Sequence, residues 1–416
     1  MTALRIFAAL FLFATCAVAQ SDDQAFLDQF EKTFEAHGNV PAKDFVPGAL
    51  MRGTLHTVRP LAYNDGLNNT YFMDSPGGVQ EITGTAALVM AIREIYALDH
   101  LRGLSKTEEF GKAFAKSAEA KLDSVVGVVR DPIGTIKSVP KGASRFFGRI
   151  GEGVKGGKSE EEKGRPLAGI TGVSKTKVRL AAQLGVSPYT TDEELQRELT
   201  ATAQAMAGGG LLINAATTLA SGGAATALTV VGVNQTLQDT LINSSPEDLR
   251  IINRKKLFAL GLDRAQADEF LMHPWYSPWH ETIITDALSQ IGVNPAAFLA
   301  QACAALTPED AFYFQRLAQL LARYHATAAP LRAIRMENAV ICGFDREGML
   351  VVPLSCDYAI WAERAARRSE EFAAFARNNG KITGLALWVD GRISPRLAEE
   401  LAARKIAVKT DVLGHP

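Results

Sequence analysis

The sequence predicts an α+β chain: a small N-terminal β-meander with helices, a central all-α bundle and a C-terminal compact α/β module. Three observations predict it. Turn signals separate short strand-like segments between residues 49 and 83. Hydroxyl-led helix starts and glycine-led helix stops punctuate residues 168–331. Beyond residue 332 apolar runs and alternating segments return, separated by helical patterns.

In chain order, residues 1–19 read as a secretory signal peptide. Arg5 gives a positive start, Ile6 to Phe13 an apolar core, and Ala17-Val18-Ala19 a small-residue cleavage motif. Cleavage after Ala19 starts the mature chain at Gln20, in the periplasm or secreted. The N-terminal part, residues 20–125, opens on a helix over 22–37 with Phe26, Phe30 and Phe34 on one face. Strands are expected in "ALMRGTLHTV", "NNTYFMD" and "VQEIT", with turns at Asn64-Asp65-Gly66 and Ser75-Pro76-Gly77-Gly78. A helix over about Ala86–Leu101 closes the unit, with Leu88, Ile92, Ile95 and Leu98 inward.

Residues 126–167 hold a basic amphipathic segment and a charged linker, "KGGKSEEEKGRPL". In the segment Lys137, Lys141, Arg145 and Arg149 recur every four residues. Ile133, Ile136, Val139, Ala143, Phe146, Phe147, Ile150 and Val154 fall on the opposite side of a helical wheel. An apolar face, a cationic face and an aromatic pair suit an interface with anionic lipid. The candidate contact residues are Lys137, Lys141, Arg145, Phe146, Phe147 and Arg149. The alternative is a cationic face packed on its own domain.

The helical part, 168–331, has starts at Thr191 with Glu194, Ser245 with Asp248, Ser277-Pro278, and Thr307 with Asp310. Its stops are Leu184-Gly185-Val186, Leu260-Gly261-Leu262 and Ile291-Gly292-Val293. The starts at Ser245, Ser277 and Thr307 lie about thirty residues apart, a period compatible with helical-hairpin repeats. The run Leu199–Gln238 carries no charged side chain. Gly222-Gly223 splits it into arms too short to span a bilayer, so a buried hairpin is expected, with a membrane-inserting hairpin as the alternative.

In the module, 332–416, "NAVICGFD" and "MLVVPLSC" read as a hairpin turning at Asp345–Gly348, with Cys342 opposite about Val351. A helix over Asp357–Asn378, strand "GLALWVD", a helix from Ser394-Pro395 to Arg404 and strand "IAVKTDV" follow, the last strand–helix–strand unit being parallel. Cys303, Cys342 and Cys356 form no disulfide framework and read as three buried thiols.

The 44 Lys and Arg nearly balance the 45 Asp and Glu, which gives no general attraction to nucleic acid. No nucleotide-binding loop, nucleophile elbow, paired-cysteine or calcium-loop motif is present. "HETII" begins like a zinc-protease helix, but Ile284 occupies the second ligand position. The sequence therefore assigns no catalytic residue, cofactor or metal ligand. The richest cluster is "HPWYSPWHE", whose His273, Trp275, Trp279 and His280 form a candidate pocket or a packed aromatic turn. Asp390 and Asp411 end strands of the module, where α/β sites often lie.

Two resemblances accompany these readings. The motifs "NDGLNNTYF", "REIYALDHL", "DPIGTIKSVPKGASRFFGRIG", "LGVSPYTT" and "HPWYSPWHET" make the chain resemble a set of exported bacterial proteins of unassigned function. Val129, Pro132, Gly142, Phe146-Phe147-Gly148, Gly151 and Gly153 resemble, over residues 129–153, membrane-apposed helices of lipid-transfer proteins of the vacuolar-sorting thirteen type. Together the readings predict an exported cell-envelope protein that contacts an anionic membrane surface or another envelope protein through residues 130–155. The alternatives are an enzyme, with its site in the C-terminal module or near residues 273–281, and a helical-repeat adaptor.

Overall fold

The computed structural model describes residues 33–122, 175–207 and 233–414, and the side chains of 116–122 are not described. The expected signal peptide, the first part of the expected 22–37 helix, the basic segment, the charged linker and the glycine-split centre of the uncharged run lie outside the described residues. The class is α+β, with N-terminal strands, central helices and a C-terminal sheet.

Five antiparallel strands form the N-terminal sheet: β1 (Gly38–Pro41), β2 (Thr57–Val58), β3 (Leu61–Asn64), β4 (Asn69–Ser75) and β5 (Gly78–Thr83). The β4–β5 hairpin closes at Ser75 and Gly78 over a Pro-Gly turn, as the turn residues require. Two expectations fail here. Residues 48–51 form a helical turn, α1 (Gly48–Met51), entered at Pro47, where a strand was expected. Residues 34–37 are not helical. The Glu35 amide donates to the Trp361 carbonyl (2.8 Å), and its carboxylate accepts from the Trp361 amide (2.6 Å) and the Ser394 hydroxyl (2.5 Å). Pairing with the distant module thus outweighs local helical preference.

The long helix α2 (Thr85–Ser105) serves two cores. Leu88, Val89, Ile92 and Tyr96 pack on the sheet with Tyr71 and Met73. One turn further on, Ala97 and Leu101 pack with Leu180, Leu184, Leu195 and Leu199. These last four come from α4 (Lys175–Gln183), its C-terminal turn, and α5 (Glu193–Ala207); α3 (Glu108–Leu122) lies alongside α5.

The remaining helices are α6 (Gln235–Asn243), α7 (Pro246–Ala259), α8 (Arg264–Leu271), α9 (Pro278–Ile291), α10 (Ala296–Ala302) and α11 (Pro308–Thr327). The long helices α7, α9 and α11 lie side by side, and the short α8 and α10 touch each other. The local punctuation governs their ends. Ser245 and Asp248 form a capping box, while Ser277 and Thr307 accept from the amides of His280 and Asp310. Gly185, Gly261 and Gly292 all take positive φ at helix ends. The start at 191 is corrected by one residue: Asp192 caps α5, its carboxylate accepting from the amides of Glu194 (2.9 Å) and Leu195 (2.8 Å). An anionic cap gains from the helix dipole where a threonine would not.

The C-terminal sheet has order β12-β10-β8-β7-β6. β6 (Leu331–Glu337), β7 (Val340–Asp345) and β8 (Met349–Leu354) form an antiparallel meander; β10 (Gly384–Val389) and β12 (Ile406–Lys409) add in parallel to β8. One face packs on α11, where the Tyr324 and Trp388 rings meet at 4.9 Å. The other carries α12 (Glu363–Asn378) and α13 (Pro395–Ala403). The expected helix from Asp357 begins only at Glu363, because β9 (Tyr358–Ala359) pairs with β11 (Arg392–Ile393). The hairpin register also shifts by one: Val351 faces Gly343 rather than Cys342. All three cysteines are free, and Cys303 is half-buried rather than buried. No helix among the described residues is long and apolar enough to cross a membrane.

Candidate functional site

The sequence-predicted His/Trp cluster occupies the turn between α8 and α9. Its members face different neighbours. His273 Nε2 lies 3.0 Å from the Cys303 carbonyl, so that nitrogen carries the proton, and its ring leans on Tyr276. Trp279 is buried, donates to the Leu241 carbonyl at 3.3 Å and meets Tyr189 edge-on. Burial pushes His280 down to about 4, so it is neutral at neutral pH, and Trp275 packs at the edge of the largest core. None of the four lines either of the two cavities described below.

The neighbouring position is chemically the more unusual. Glu281 is fully buried against α7, with Arg250 Nε 3.7 Å from its carboxylate. Neither of its oxygens has a hydrogen-bond partner among the described residues, and burial pushes it up to about 7 despite the arginine.

At the C-terminal ends of the parallel strands, the acids are committed to structure. Asp390 accepts from Arg316 (2.9 Å), the Ser355 hydroxyl (2.8 Å) and the Cys356 amide (2.9 Å), tying α11 to the end of β10. Asp411 sits at φ 52° just after β12, its amide donating to the Gly391 carbonyl at 2.9 Å. Asp357 accepts from the amides of Asn69 and Thr85, both at 2.9 Å, so it caps α2 from the other end of the chain. Gly391 is required here: a Cβ would collide with the Cys356 carbonyl oxygen.

The N-terminal turn expected at Asn64-Asp65-Gly66 docks beside this edge. Asp65 accepts from the amides of Leu67 and Asn68, closing the turn. The carbonyls of Gly66 and Leu67 then accept from the amides of Asp357, Tyr358 and Ile360.

Between that turn, the sheet and α12 lies a cavity of about 400 Å³. Its floor is aliphatic: Val352, Leu354, Leu385, Leu387 and Ile406, with Phe372 and Leu401 from the covering helices. Polar groups are few: the exposed or half-buried His37, Asp65, Tyr313, Arg364 and Arg368, and the buried Ser369. The space exists because α12 presents Ala365 and Ser369 to a sheet face whose Val352, Leu354 and Leu387 stay half-buried. A second cavity, about 410 Å³, lies among α6, α9, α11 and residues 412–413 and is more polar, with Asp286, Gln290, Gln319 and Arg323. One wall includes Val233, where the described chain resumes. No cluster of three or more His, Cys, Asp or Glu among the described residues is placed to hold a metal ion.

No protein family, curated protein or solved structure matches this chain. Sequence reading missed the cavity beneath α12 because "ERAARRSEEF" reads as a solvated helix face and the floor residues read as ordinary strand core. The one available signal is small residues on a helix opposite large aliphatics on a strand.

Proposed function

We propose that the chain is an exported envelope protein that binds a small apolar molecule in the cavity beneath α12. The observation that carries this reading is the cavity itself: an aliphatic floor with a few polar groups among its lining, of the size of small-molecule sites (about 300–1,000 Å³). Binding is favoured over chemistry because the acids nearest the strand ends, Asp357 and Asp390, are consumed by backbone and ion-pair partners. Export rests on the signal-peptide pattern at residues 1–19. The basic amphipathic pattern of residues 130–155 extends the proposal: it attaches the protein reversibly to an anionic membrane, the natural reservoir of apolar molecules.

The test uses the mature protein and the neutral fluorescent hydrophobe N-phenyl-1-naphthylamine. Its emission should rise saturably on binding at one site per chain. Leu387→Trp fills the floor and should abolish the rise while leaving the far-ultraviolet circular dichroism unchanged. A saturable signal untouched by Leu387→Trp, or no signal, would exclude this cavity as the site.

A further inference from the structure

We infer that the cavity takes a single-chain carboxylic acid, its chain on the aliphatic floor and its carboxylate at Arg364. The inference rests on the binding reading above and adds the ligand's class. Three observations converge on it.

The first is charge. Arg364 and Arg368 lie one turn apart on α12, in the cavity lining. Arg368 is engaged, donating through Nη1 to the Asn338 carbonyl and to Glu371, each at 2.9 Å. Arg364 makes no hydrogen bond or ion pair among the described residues, and it is exposed at the mouth. The one acid that lines the cavity, Asp65, already receives two backbone amides, and Glu363 stands in the first turn of α12 outside that lining. One free guanidinium is the fork that a carboxylate matches in bidentate fashion.

The second is the start of α12. Ala362 stands at the N-cap without any side-chain cap, and Ala362, Arg364 and Ala365 all border the cavity. The uncapped first turn therefore adds its dipole to the charge of Arg364 beside the same space. Tyr313, exposed on α11, adds one further hydroxyl to the groups that line the cavity.

The third is size. A methylene occupies about the volume of a water molecule (about 30 Å³), so about 400 Å³ accommodates one chain of roughly ten to fourteen carbons.

The experiment is displacement of bound N-phenyl-1-naphthylamine from the mature protein, below micelle-forming concentrations. The competitors are dodecanoate, dodecanol and dodecyltrimethylammonium. Dodecanoate should compete at about tenfold lower concentration than dodecanol, the scale of one hydrogen-bonded charge pair, and the cation should compete least. Arg364→Gln should bring dodecanoate and dodecanol within about twofold of each other, each competitor being compared against the probe affinity measured for that variant. Because Arg364 is exposed and unpartnered, this variant should fold as the parent does. Equal competition by dodecanoate and dodecanol would overturn the acid preference while the binding reading stands. A preference that survives Arg364→Gln would overturn the assignment to that residue. A probe that none of the three displaces, or that does not bind at all, would overturn both readings.

Discussion

Glu281 shows how one residue position can carry a consequence that its neighbours do not. The sequence draws attention to His280, one position earlier, but His280 is simply neutral and packed. Glu281 is carried into the interior by α9, where desolvation outweighs the attraction of Arg250. Its folded pKa, about 7, lies above the ordinary value of 4.5. A raised carboxyl contributes stability that is fully present below the unfolded pKa and is lost as pH rises through the folded one. The stability of the protein should therefore contain a component that falls between about pH 4.5 and 7. Denaturant unfolding across that window should show the component in the parent and not in Glu281→Gln, whatever the offset between the two curves. Parallel pH profiles would disprove it.

At the scale of elements, two kinds of helix start behave differently. The capping box at Ser245 is local, so Ser245→Ala should cost about 1 kcal/mol, confined to α7. Helix α2 instead starts at Gly84-Thr85 with no local side-chain cap and borrows the carboxylate of Asp357. That group also holds the Asn69 amide at the start of β4. Asp357→Ala leaves two part-buried amides unsatisfied and should cost about 2–6 kcal/mol, at about 1–3 kcal/mol for each group. It should also raise hydrogen exchange at the N-terminus of α2 and in β4 together. An effect no larger than that of Ser245→Ala would show that Asp357 does not join the two ends of the chain. The same contrast explains the N-terminal expectations that failed. Residues 34–37 leave the helix to pair with Trp361 and Ser394, partners that no local pattern can announce.

For the whole molecule, the proposed function joins a membrane-facing segment to a cavity in the C-terminal module. Each of Lys137, Lys141, Arg145 and Arg149 near anionic lipid contributes about 1 kcal/mol, which salt screens. Burial of Phe146 and Phe147 would add roughly 1.5–3 kcal/mol each, largely independent of salt. Co-sedimentation of the mature protein with phosphatidylglycerol vesicles should fall when the four cations become Gln. It should fall again with Phe146→Ala plus Phe147→Ala. No binding at low salt, or binding unchanged by either set, would remove the membrane part of the proposal and leave the cavity reading to its own test.

The sequence by itself determined what short-range physics controls. Hydroxyl caps at Ser245, Ser277 and Thr307, glycine stops at Gly185, Gly261 and Gly292, the Pro-Gly hairpin and the alternation of the last strands all act within a few residues, so period and punctuation were enough for the α+β class and the coarse succession of N-terminal strands, central helices and C-terminal sheet. Tertiary structure alone decided the rest. The docking of the Asn64–Leu67 turn on Tyr358, the capping of α2 by Asp357 and the burial of Glu281 join residues far apart in the chain. The cavity was illegible for the same reason. It is a volume left between α12, the sheet and a turn from the opposite end of the chain, and Arg364 acquires meaning only because that volume opens beside it. A residue's composition and spacing record what it prefers, whereas an empty space is a property of surfaces that meet only after the chain has folded.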